Sequence, residues 1–210
     1  MDEFGEVADL REALVQVAEI RRQMARTELF RGLRSLPVAF SGVLAWASAL
    51  AQAWWIPDPL REIPAYLALW IGAAGVGLSA AALEMALRAR HDPRWAREHT
   101  RLAIEQFLPC VVAGGLTTVV LARSSSGLVV LLPGLWSVFF SLGIFATRRL
   151  LPGAILGVAC FYLIAGLVVL GQAATGPGLS PWAMGIPFGC GQLLAAFVLY
   201  RTLERDHAHQ

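Results

Sequence analysis

Six apolar runs separated by short polar links constrain this chain more than any other feature. They are Leu36–Ile56, Ala65–Leu87, Leu102–Ala122, Leu128–Thr147, Ala154–Gly171 and Pro181–Tyr200. A helix needs about 20 mostly apolar residues to cross a bilayer, whereas a tilted barrel strand needs only about half as many. Open strands cannot satisfy their backbone groups in lipid. The pattern therefore predicts an all-α integral membrane protein, a bundle of six transmembrane helices.

Charge gives the bundle a direction. All 17 basic residues are arginine, and 15 of them fall on one side of the predicted membrane. Arg11, Arg21, Arg22, Arg26, Arg31 and Arg34 precede span 1. Arg88, Arg90, Arg94, Arg97 and Arg101 lie around the link between spans 2 and 3, Arg148 and Arg149 follow span 4, and Arg201 and Arg205 follow span 6. Only Arg61 and Arg123 fall on the opposite side. Arginine-rich short loops stay cytoplasmic, so both termini are expected in the cytosol. Trp54, Trp55, Trp182 and Tyr66 then fall at the outer interface, and Trp95 and Tyr200 at the inner one, as an aromatic belt.

Composition agrees. Hydrophobic residues make up 57% of the chain and mean hydropathy is +0.59, against roughly 45–50% apolar residues in soluble domains. The spans take more than half of the 210 residues. That leaves residues 1–35 as a cytosolic helix with a juxtamembrane segment, 36–200 as the membrane domain and 201–210 as a tail. Asp2, Glu3, Glu6 and Asp9 open the chain, and no apolar run precedes Leu36. A cleavable signal peptide begins with basic residues followed quickly by an apolar core, so span 1 is expected to act as the insertion signal. The lack of lysine beside abundant Ala, Arg and Gly suggests a GC-rich bacterial genome and hence a bacterial inner membrane.

Residues 6–33 read as an amphipathic helix. Val7, Leu10, Leu14, Val17 and Met24 form a narrow apolar stripe at three-four spacing. Glu19–Arg22 and Glu28–Arg31 can pair at i, i+3. Arg21 interrupts the stripe, which leaves too few clean heptads for a coiled coil. Three placements compete: on the inner leaflet, against the cytosolic ends of the bundle, or docked on a partner through Leu10, Leu14, Val17 and Met24. The acidic start fits poorly against anionic headgroups and keeps the third open.

Ionisable groups inside spans are costly and therefore functional candidates. Two carboxylates qualify, Glu84 and Glu105. They flank the turn at His91-Asp92-Pro93-Arg94, which places them at matching depth in an antiparallel hairpin, roughly one to two turns from the inner interface. Each has an arginine four residues nearer the cytosol, Arg88 for Glu84 and Arg101 for Glu105. Interfacial i, i+4 ion pairs with snorkelling arginines follow directly. The sharper alternative is a proton or cation site, in which two facing carboxylates raise one pKa by mutual repulsion.

Other in-span polar residues include Gln52, Gln106, Gln192, Ser137, Ser141 and Thr118. They are expected to hydrogen-bond between helices, with the three glutamines as a candidate polar seam. Pro109, Pro133-Gly134 and Pro187 are expected to kink or open spans 3, 4 and 6. Gly153-x-x-x-Gly157 and Gly185-x-x-x-Gly189 permit close helix contact. Cys110, Cys160 and Cys190 lie in spans without C-x-x-C spacing and read as small apolar filler. Histidine occurs only at His91, His99, His207 and His209, outside the spans, which argues against a haem held in the bundle. No phosphate-loop, zinc-protease or nucleophile-elbow motif is present. Nothing in the pattern calls for a cofactor, a metal or nucleic acid.

The stretches Ala18-Glu-Ile-Arg-Arg-Gln-Met-Ala-Arg through Ser35-Leu-Pro-Val-Ala-Phe-Ser-Gly, and Leu132-Pro-Gly-Leu-Trp-Ser-Val-Phe-Phe-Ser-Leu-Gly-Ile-Phe-Ala, resemble a group of small, uncharacterised bacterial six-span inner-membrane proteins with a cytosolic N-terminal helix. The resemblance implies the same topology and brings no activity or site residues. The functional expectation is a non-enzymatic membrane component, an accessory or regulatory one acting through its cytosolic N-terminal helix, in contact with the lipid bilayer, a membrane or cytosolic protein partner, or a second copy of itself. The alternative is a small proton- or ion-coupled transporter using Glu84 and Glu105.

Overall fold

A computed structural model describes residues 35–89, 93–124, 126–148, 151–173 and 179–204. The expected N-terminal helix, with Leu10, Leu14, Val17 and Met24, lies outside the described residues, as do His91, His207 and His209. The described part is all-helical. Its elements are α1 (Ser35–Trp55), α2 (Ile63–Ala89), α3 (Pro93–Ser124), a 3₁₀ segment (Ser126–Leu131), α4 (Leu132–Ala146), α5 (Ile155–Gln172), α6 (Pro181–Leu199) and a π turn (Tyr200–Glu204). Six spans in it are long and apolar enough to cross a membrane.

The helices form a closed ring in which each touches the next and α6 returns to α1. The α1–α6 and α4–α5 pairs are the most intimate. Small residues explain both. A methyl group on Gly185 would lie 2.6 Å from the Cβ of Ala49, and one on Gly189 would enter the Trp46 ring. One on Gly134 would lie 2.8 Å from the carbonyl oxygen of Gly166. Side chains at these positions would hold the backbones apart. The expected contact at Gly185-x-x-x-Gly189 is therefore present. At Gly153, in the turn before α5, and at Gly157, on an exposed face of α5, a methyl group would meet nothing within 4 Å.

By contrast, α2 and α3 sit at the rim. Only 11% of either span is buried, against 28–44% for the other four. The 32 residues of α3 give a length of about 48 Å at 1.5 Å per residue, well beyond a hydrocarbon core of about 30 Å. The extra turns are those bearing Arg94, Arg97 and Arg101.

Pro133 does not kink span 4. It lies in the first turn of α4, where its missing N–H has no intrahelical partner to lose, and the 3₁₀ segment supplies the rest of the span. Pro109 and Pro187 do lie inside their helices.

Two cores fill the ring. At the arginine-poor end, Ala45, Ala49, Tyr66, Trp70, Val129, Leu132, Leu179 and Met184 pack together. At the arginine-rich end the cluster is Ile144, Ile155, Val158, Ala159, Tyr162, Ala195 and Leu199. There the Tyr162 ring lies 4.8 Å from that of Phe140 and 5.5 Å from that of Phe188. Tyr66 therefore belongs to the core, at 0% exposure, and not to an interfacial belt. Trp54 and Trp55, at 81% and 75% exposure, keep the surface position expected of a belt.

Candidate functional site

Gln52 is the most constrained polar side chain of the bundle. It occupies the last turn of α1 and is fully buried. Its Oε1 accepts a 2.7 Å hydrogen bond from the Trp70 indole N–H on α2. Its Nε2 donates at 2.8 Å to the carbonyl of Leu179, just before α6. An indole N–H only donates and a carbonyl only accepts, so these partners fix the orientation of the amide. One side chain thus joins three separate parts of the chain in an apolar setting, where unpaired groups are costly.

A second node lies between α3 and α4. The Trp136 indole N–H donates at 2.9 Å to Thr118 Oγ1, which itself donates at 2.7 Å to the Gly114 carbonyl. Ser141 Oγ reaches across to α5 and donates at 2.7 Å to the Ala159 carbonyl, while Ser137 bonds within its own helix to Pro133. Among the described residues, three buried atoms, Tyr66 Oη, Tyr162 Oη and Gln106 Oε1, make no hydrogen bond.

The glutamines do not form a seam. Gln52 bonds to an indole and a backbone carbonyl, Gln106 Oε1 is unpartnered, and half-buried Gln192 packs its Cβ near Gly42. Sequence reasoning named Gln52 without its partners. Trp70 and Trp136 gave a signal only in being indoles deep within apolar runs, where each N–H must find an acceptor.

Both candidate carboxylates lie at the arginine-rich end. Glu84 falls three residues inside the apolar window that ends at Leu87, and Glu105 one residue inside the window that begins at Ile104. Glu105 is 52% exposed and bonds to Arg101 Nε at 2.6 Å. That hydrogen bond, followed by the carboxylate's charge, raises the Arg101 pKa above its ordinary value. Glu84 is half-buried on α2. In the π turn after α6, the Arg201 guanidinium sits 4.7 Å over the Phe197 ring.

At the arginine-poor end a cleft of about 310 Å³ opens beside the Gln52 node, lined by Ala53, Ile56, Pro57 and Pro59 on one side and by Leu179, Ser180 and Pro181 on the other. Arg61 and Asp58 pair at 2.9 Å in the adjoining link. Among the described residues no three His, Cys, Asp or Glu side chains cluster as a metal site, and Cys110, Cys160 and Cys190 are free thiols. Comparison with protein-family models, with curated proteins and with solved structures finds no match to this chain.

Proposed function

We propose that this chain is a non-enzymatic multi-pass component of a bacterial inner membrane, with both termini in the cytosol. It acts as an accessory or regulatory subunit through its N-terminal segment, residues 1–33. The carrying observation is the uneven burial of the ring: α2 and α3 have 11% of their spans buried, less than half the share of any other helix. A helix pair so little covered by its own bundle offers membrane-embedded surface to a partner, and the ends of the two helices that meet at their link carry Arg88, Arg94, Arg97 and Arg101. The amphipathic stripe at Leu10, Leu14, Val17 and Met24 supplies the cytosolic contact.

The test is purification of the full chain from native membranes in mild detergent, beside a chain lacking residues 1–33. A stoichiometric partner present with the first and lost from the second is the expected result. Identical homo-oligomers in both preparations would sink the reading and shift attention to Glu84 and Glu105 as an ion-coupling site.

A further inference from the structure

We draw no further inference here: the strongest candidate, the exposed stripe of small residues at Gly72, Gly75, Ser79, Ala82 and Ala86 along α2, carries nothing because nothing in the structure shows what covers it.

Discussion

Gly134 and Gly166 face each other across α4 and α5 so closely that a methyl group on either would lie 2.8–2.9 Å from the other's carbonyl oxygen. At Gly166 the obstructing atoms include the Gly134 carbonyl oxygen and the Val138 backbone nitrogen, which no side-chain rotation can clear. Gly166→Ala is therefore expected to destabilise the bundle by about 1–3 kcal/mol, the usual range for overpacking. Gly157→Ala, on the open face of the same helix, is expected to be neutral or slightly stabilising, because alanine is the better helix former. Thermal unfolding in detergent compares the two, and equal losses would remove close packing as the cause.

Gln52 and Trp70 should be energetically coupled. Interhelical hydrogen bonds in membranes average about 0.6 kcal/mol and reach about 1.7, and this one is fully buried with good geometry. A double-mutant cycle of Gln52→Leu and Trp70→Phe is expected to give a coupling near the upper end of that range. Additive losses would mean that the bond adds nothing beyond packing.

Thr118 allows a finer comparison. Its hydroxyl serves both Trp136 and the Gly114 carbonyl. Thr118→Ser keeps that hydroxyl, while Thr118→Val keeps the shape and strands the indole N–H. The valine variant is expected to lose about 1 kcal/mol, the lower end of the penalty for an unsatisfied donor because Trp136 is only half-buried, and the serine variant far less. Chemical denaturation of both variants measures the difference; similar losses would assign the role to the methyl group.

The Arg101–Glu105 pair should contribute little. Both side chains are more than half exposed, and exposed pairs are screened by salt and offset by side-chain entropy. Glu105→Gln is expected to leave thermal stability unchanged at low and at high ionic strength. Proton flux into liposomes, measured with Glu84→Gln and Glu105→Gln, tests the coupling-site alternative; unaltered flux in both would end it.

The spans were legible because hydrocarbon thickness imposes a length and lipid imposes a composition, and both are properties of a local run of residues. Helix pairing is not local. Gly153-x-x-x-Gly157 and Gly185-x-x-x-Gly189 are the same motif, yet only the second meets a neighbour. Spacing fixes which residues share a face but says nothing about where the face points. Pro133 misled for a related reason: an apolar run does not reveal that its first turns are 3₁₀, which makes a mid-run proline the start of an α-helix. Tyr66 lies near the end of its run, where interface and core look alike in one dimension. Of the candidate site, Gln52 and Glu105 were visible as isolated polar residues, whereas the partners of Gln52, an indole 18 residues away and a carbonyl 127 away, were not.

The intimate contact between α1 and α6 bears on how the protein is made. The first of these helices leaves the ribosome well before the last is synthesised, so the α1 face bearing Gly42, Ala45 and Ala49 must wait in the membrane without its mate. Early on, α1 has only α2 to lean on, through Gln52–Trp70 and through Gly77 packing on Ser41. Ring closure is then the final assembly step, and arrest of translation before α6 should leave an unclosed bundle whose α1 face of Gly42, Ala45 and Ala49 is bare, the form most open to quality-control proteases or to a wrong neighbour.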